Sequence, residues 1–532
     1  MVISPMTSLR NPRGASTRQV AVVGAGIGGL VGALLLAARG FAVTLFESAE
    51  APGGKMREVA TSGARIDAGP TVFTMRWAFE EVFAEAGASL ADRVELTPLA
   101  TLARHAWSDG SRLDLHADFE RSVEAIRDFA GPAEADGFRA FSARARAIYR
   151  TLERPFLRES RPNPLTLTAR VGAAGLPDLM KISPFATLWG ALGEHFRDSR
   201  LRQLFGRYAT YCGSSPFLAP ATLMLIAHVE QAGVWTLPGG MHGLAVALAD
   251  LARERGVVLH YGRRVARLLA AGGRASGVET ADGERFAADA VLFNGDAAAI
   301  GSGALGRDVA RAVPEARSAP DSLSAVTWAM VGKPQGFALS HHNVFFGDDY
   351  ANEFNEILVR RRLPSDPTIY VCAQDRVDEA AREGAERLFC LVNAPASTGR
   401  ELSQGDIDAC EEITFRKLER LGLTILTDRA ARLRVTPADF GRLFPATGGA
   451  LYGRASHGWR ASFARPGSRT RLPGLYLAGG SAHPGPGAPM AALSGRLAAA
   501  AVTADLTSRS RFTPAATPGG TSTRSPTTAG TA

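Results

Sequence analysis

An α/β fold is predicted by three observations. Val20 to Glu47 reads VAVVGAGIGGLVGALLLAARGFAVTLFE, which is strand, glycine turn, helix, strand and acid in that order. Five residues further on comes Gly53-Gly54-Lys55. Near the far end, an apolar strand at Leu475 to Ala478 runs into Gly479-Gly480 and a long Ala/Leu helix that begins near Pro489.

Each element of the first stretch has a physical reason. Gln19 to Val23 is an apolar strand, Gly24 makes the tight turn, Gly26 lets backbone approach a pyrophosphate, and Gly29 allows helix to pack on strand. The helix that starts near Ile27 aims its amides and its positive dipole end at phosphate. A second strand, Ala42 to Phe46, ends in Glu47, roughly 20 residues after the glycines, where a ribose diol is gripped. An acid there disfavours a 2′-phosphate. With Gly53-Gly54-Lys55 beside it, the pattern points to an adenine dinucleotide, FAD ahead of NAD and either ahead of NADP, and to a Rossmann-like domain. A lone glycine-rich turn often has only a steric cause, and the uncharged run Val20 to Ala38 is long enough to imitate a membrane span. The ordered series and the clustered glycines favour the nucleotide reading over both.

The 532 residues suffice for more than one domain and a sizeable core. Apolar residues make up 46% and charged residues 21%, a globular balance. The excess of 60 basic over 52 acidic residues gives +8, spread along the chain, which suits an anionic lipid surface and does not indicate nucleic acid. Cys212, Cys372, Cys390 and Cys410 are too dispersed for a disulfide scaffold or a metal motif, so no metal is expected. Residues 1 to 17 hold arginines without an apolar h-region and read as a disordered arm, and about 507 to 532, rich in Thr, Ser, Pro and Gly, as a solvated tail.

Three separated segments, 18–99, 238–294 and 474–506, are expected to build the nucleotide domain. The second opens with Pro238-Gly239-Gly240-Met241 and a helix to Arg255. It continues as strands Val257 to Tyr261, Val265 to Ala270, Ala275 to Thr280 and Phe286 to Phe293, with Asp282-Gly283 as a turn. Between them, 100–237 and 295–473 are expected to form a mixed α+β domain for substrate and membrane contact.

With these pieces placed, GAGIGGL (Gly24 to Leu30), PGGKMR (Pro52 to Arg57), DAGPTV (Asp67 to Val72) and LYLAGGSAHPGPGAPMAALSGR (Leu475 to Arg496) resemble the phytoene desaturase-like branch of the FAD-dependent amine oxidoreductases, from about Val20 to Leu506. Within that branch, TMRWAFEEVFAEAG (Thr74 to Gly87) and GALYGRASHGW (Gly449 to Trp459) are similar to the bacterial hydroxyneurosporene desaturases. The resemblance implies insertion of a C3–C4 double bond into an acyclic 1-hydroxy or 1-methoxy carotenoid. It implies that Gly24, Gly26, Gly29 and Glu47 hold the ADP moiety, and that Gly54, Lys55 and Arg57 lie along the pyrophosphate and ribityl. Val265 offers backbone to adenine, and Gly480 and Met490 pass beside the isoalloxazine. Many relatives have an acid after the last strand's glycine, where this chain has Gly480-Ser481.

A carotenoid needs a long apolar tunnel, to which Ile182 to Leu192, Pro216 to Ile226 and Val344 to Phe346 are apolar enough to contribute; ordinary core is the plainer reading. His483, in the loop expected beside the flavin, is the first candidate for proton acceptor, against a histidine that bonds its own loop. Tyr452, Arg454 and His457 are candidates for gripping the substrate's oxygen, and Thr74, Arg76 and Trp77 for lining the tunnel mouth. Leu165 to Lys181 reads as a helix able to lie on a membrane, making the protein peripheral on the cytoplasmic face of the bacterial inner membrane. The electron acceptor, oxygen or a quinone, stays open. So do two rival readings, another flavoenzyme of the same fold and a prenyl escort without redox activity.

Overall fold

The structure, a computed structural model, describes residues 17–160, 166–167, 185–314, 321–377, 384–397 and 402–510. All but the last residue of the expected arm, all but the first residues of the expected tail, and nearly all of the expected Leu165 to Lys181 helix lie outside them.

A five-stranded parallel sheet forms the first layer, in the order Leu475–Leu477, Ala290–Phe293, Gln19–Val23, Ala42–Phe46, Val258–His260. Its strands come from three separated parts of the chain. The sequence reading drew Phe286 to Phe293 as one strand, but the structure divides it. Arg285–Ala287 pairs with Arg274–Thr280 in a three-stranded antiparallel sheet with Val265–Ala271, and Ala290–Phe293 joins the parallel sheet. The Asp289 carboxylate accepts from Gln19 N at 2.8 Å at the point where the chain changes sheets.

The run that imitates a membrane span, Val20 to Ala38, is divided by the glycine turn into most of the strand Gln19–Val23 and the helix Ile27–Ala38, the helix buried from Ile27 through Leu36. A helix apolar on every side belongs inside a protein or a bilayer. This one is enclosed by the sheet and by helices Gly240–Glu254 and Ala488–Ser510. Small residues let the helices touch: a Cβ on Gly495 would lie 2.3 Å from Gly28 O. No helix among the described residues is long and apolar enough to cross a membrane.

The second layer is an eight-stranded mixed sheet around the long strand Ser324–Gly336, which pairs with Glu386–Ala394, Leu423–Leu426 and Leu433–Val435. The sheet continues through Ile369–Ala373 and His342–Phe345 to the hairpin Thr101–Ala106 and Arg112–His116. Alternation along its strands divides its two faces. Leu388, Cys390 and Val392 join Trp328 in the core beneath helix Gln404–Arg420, while Phe389, Leu391 and Asn393 face an internal cavity.

The helix contact generates a test. Gly495→Ala is expected to destabilise the fold by about 1–3 kcal/mol through overpacking, whereas Gly243→Ala, within a helix and with nothing near its Cβ position, should be neutral or slightly stabilising. Equal urea midpoints for the two variants would refute the packing argument.

Candidate active site

Four backbone segments meet where the parallel strands end. Gly24, at φ 98°, donates its N–H to Phe46 O at 2.8 Å, and a Cβ on Gly29 would lie 2.0 Å from Gly24 O. Gly26 is the N-cap of the first helix. A Cβ there would come 2.8 Å from the Asn294 side-chain amide, and one on Gly28 would come 2.7 Å from Gly479 N. Gly53 donates to Ala25 O at 2.8 Å and brings the second glycine pair onto this turn, where a Cβ on Gly54 would meet Gly26 Cα at 3.1 Å. Asn294, which the sequence reading passed over, therefore touches nearly every glycine of the motif. Its signal was available: Asn-Gly-Asp follows an apolar strand at the reversal of strand order, where doubly wound sheets bind ligands.

Glu47 stands at the end of its strand, 8% exposed. Oε2 accepts from Ala25 N at 2.6 Å, and Oε1 accepts from Ala49 N at 2.8 Å and from Ser48 Oγ at 3.1 Å. The carboxylate is thus locked beside the first glycine turn with lone-pair capacity left for a diol. The backbone returns here as well, since Arg263 N donates to Glu47 O at 2.8 Å two residues before the buried Val265. Arg57 Nε and Nη2 are buried and have no hydrogen-bond partner among the described residues. Burial pulls this guanidinium below its usual range, with Asp439 opposing. Buried, unsatisfied cationic donors three residues beyond Gly54 fit an anionic group such as a diphosphate.

Lys55 turns elsewhere. Its Nζ donates to Leu451 O at 2.6 Å and lies 5.4 Å from the Phe444 ring centroid. Burial lowers its pKa; Asp296 opposes the shift and Arg465 adds to it. Arg465 has no local sequence signal and was also missed. It is 6% exposed and donates to Tyr452 O at 3.3 Å, Gly480 O at 3.0 Å and Arg454 O at 2.8 Å, clamping the Gly449 to Trp459 stretch to the last glycine loop.

These loops open into a cavity of about 570 Å³. Gly69 to Val72, Tyr452, Arg465 and Pro486 to Met490 line one part, with Thr74, Met75, Leu223, Ile226, Val344 and Phe389 among the remaining walls. The apolar stretches expected to contribute do so through Phe185, through Pro220 to Ile226 and through Val344, although 182–184 lie outside the described residues. The helix Ala488–Ser510 begins at the cavity, with Met490 on the wall.

Other expected residues are placed differently. Arg76 Nε pairs with Glu80 at 2.7 Å on the helix surface, and Trp77 lies under Arg158, 4.1 Å from its ring centroid to Arg158 Cζ; Thr74, by contrast, lines the cavity. His457 Nε2 accepts from Ser215 N at 3.3 Å, and burial lowers its pKa, so the ring is neutral. Burial pushes the Tyr452 phenol on the cavity wall up to about 12. His483 is 2% exposed, with Nε2 2.8 Å from Phe156 O and its ring edge-on to Phe156. Nε2 therefore holds a proton as donor and has no lone pair there for a substrate proton. The geometry is that of a histidine tying its loop down.

The dispersed cysteines hid one convergence. Cys372 Sγ lies 3.6 Å from His341 Nε2, in a buried group with His342 whose ligand atoms all fall within 4.8 Å of one another. Burial pushes the Cys372 thiol up to about 12, which keeps it protonated.

Comparison with known proteins agrees with this geometry. Residues 27–503 match the family model for flavin containing amine oxidoreductase. The chain is 54% identical to a hydroxyneurosporene desaturase of Rubrivivax gelatinosus over 97% of this chain and 99% of that one. It is 48% identical to the hydroxyneurosporene desaturase of Cereibacter sphaeroides, over 93% and 99%. A putrescine oxidase structure superposes with a TM-score of 0.59 at 15% identity, covering 92% of this chain and 99% of that one, a likeness of fold. The glycine junction, the locked acid and the extent of the match together make the chain a member of the flavin-containing amine oxidoreductase family.

Proposed function

We propose that the protein is an FAD-dependent desaturase that inserts the C3–C4 double bond into an acyclic 1-hydroxycarotenoid. The observation that carries this reading is 54% identity, along nearly the whole of both chains, with a hydroxyneurosporene desaturase. The apolar cavity supports it, since a polyene offers few polar handles and must be bound by buried area.

The bound flavin supplies a hydride acceptor. In this reading Glu47 holds the adenosine ribose, the glycine turns and Arg57 hold the diphosphate, and Val265 offers backbone to adenine. Gly480, Met490 and the start of helix Ala488–Ser510 flank the ring system, where the helix's positive end stabilises gathering negative charge. Leu223, Ile226 and Val344 hold the polyene and exclude water from the reacting methylenes. His483 contributes by anchoring its loop on Phe156 O rather than by accepting the proton.

Docking on the membrane follows from the substrate's solubility. Phe185 is 72% exposed at the cavity, edge-on to Trp459 with ring centroids 5.5 Å apart, and Arg460 lies 5.2 Å from the Trp459 ring. An aromatic rim with a cation beside it suits an anionic interface, here the cytoplasmic face of the inner membrane.

Four experiments test these assignments. Glu47→Ala should weaken FAD retention on dialysis about 10- to 100-fold, by loss of charge-assisted hydrogen bonds; full flavin occupancy, or a wild type that prefers NAD, would defeat the FAD assignment. Incubated with 1-hydroxyneurosporene, the protein should give a product two hydrogens lighter and red-shifted; conversion of phytoene with the hydroxylated polyene untouched would reassign it to phytoene desaturation. His483→Gln, which keeps an N–H for Phe156 O, should retain turnover within about tenfold, whereas loss of a general base costs about 100- to 10,000-fold. Phe185→Asp with Trp459→Asp should abolish sedimentation with anionic vesicles; undiminished binding would rule out this rim as the docking face.

A further inference from the structure

Among the buried polar groups on the cavity wall is one that the flavin reading does not use. Arg207, Tyr208 and Tyr211 lie on the short segment Arg207–Cys212, and Glu230 comes from near the end of helix Leu225–Gln231. Glu230 is 5% exposed and Arg207 9%. Tyr208 OH donates to Glu230 Oε2 at 2.6 Å, Tyr211 OH donates to Oε1, and Arg207 Nη1 donates to Tyr211 OH at 3.4 Å. Arg207, Tyr211 and Glu230 line the cavity beside Leu223, Ile226 and Val229.

A carboxylate in such surroundings is costly unless its oxygens are satisfied. Two phenols satisfy one lone pair on each oxygen and leave the others, so the group presents acceptors to a space otherwise walled largely by hydrocarbon. Arg207 Nε is buried with no hydrogen-bond partner among the described residues, so the group holds an unsatisfied donor as well; a ligand that completes it must both donate and accept through one polar head on an otherwise apolar body, as an alcohol does. We propose, building on the carotenoid reading above, that Glu230, aimed by Tyr208 and Tyr211, receives the O–H of the substrate's terminal alcohol. The enzyme then selects the free alcohol over both the methyl ether and the parent hydrocarbon, since neither of these has a hydrogen to donate and each leaves the carboxylate's remaining lone pairs without a donor in a dry site. Tyr452, on the same cavity, would select differently, because a phenol can donate to an ether oxygen as readily as to an alcohol.

The test uses the FAD-loaded full chain with vesicles that contain, in turn, a 1-hydroxy polyene, its methyl ether and the unsubstituted hydrocarbon, and reads kcat/KM for each together with substrate binding to the oxidised protein. Wild type should prefer the alcohol to the ether by at least about tenfold. Glu230→Leu should erase that preference in both turnover and binding while activity on the hydrocarbon stays equal or rises. Glu230→Gln, with one acceptor oxygen left, should fall between. FAD occupancy and the urea midpoint of each variant serve as the controls for folding. Equal use of alcohol and ether by wild type, an alcohol preference that survives both Glu230 variants, or its loss in Tyr452→Phe alone would each overturn the assignment. Failure to turn over any of the three polyenes would overturn the carotenoid reading itself, and this assignment with it.

Discussion

The structure depends on a junction of backbones too close for side chains. Gly24 to Gly29, Gly53-Gly54, Asn294 and Gly479 come from four distant places in the chain, and methyl groups at Gly26, Gly28 and Gly29 would penetrate neighbouring atoms. Interiors are packed at crystal-like density, so such a junction is satisfied only when strand ends, helix start and last loop are all in register. Asn294 fills the space the glycines leave, its amide directed to Gly24 O at 3.3 Å. Glu47 fixes the turn from the other side through Ala25 N.

From this junction two cations, Lys55 partly buried and Arg465 buried, carry position into the second layer. Lys55 follows directly on the second glycine pair, and its Nζ reaches Leu451 O; Arg465 spends its donors on the carbonyls of Tyr452, Arg454 and Gly480. Desolvation lowers the pKa of each, and the bonds they make join the stretch Leu451 to Arg454 to the loops of the parallel sheet. The cavity wall is therefore registered against the glycine junction by hydrogen bonds to main chain, which are less sensitive than side-chain contacts to the identity of the wall residues.

Strand alternation makes the other walls. One strand, Glu386–Ala394, sends Leu388, Cys390 and Val392 into the core and Phe389, Leu391 and Asn393 to the cavity, so one hydrophobic run serves two purposes. A strand buried on both faces reads as continuously apolar, and its sequence does not say which alternate set faces a ligand.

That difference explains what the chain disclosed in advance. The glycine turns, Glu47 and the start of the last helix were legible because each depends on local conformation or spacing: a positive φ, a forbidden Cβ, an acid closing a strand. The split at Asp289 was not, because Phe286 to Phe293 is apolar but for Asp289 itself, and it is pairing with Gln19–Val23 on one side and Arg274–Thr280 on the other that divides it. His483 shows the limit most clearly. Its loop was located by motif, and Pro484 and Pro486 to Met490 do line the cavity, but the direction of the ring was set by a carbonyl 327 positions away, at Phe156. Arg207, Tyr211 and Glu230 were silent for the same reason, being ordinary residues in ordinary segments until the fold of the second layer brings them to one wall. Motifs that a backbone requires can be read from a sequence alone, whereas side chains that converge to read a substrate belong to the packing and become visible only with it.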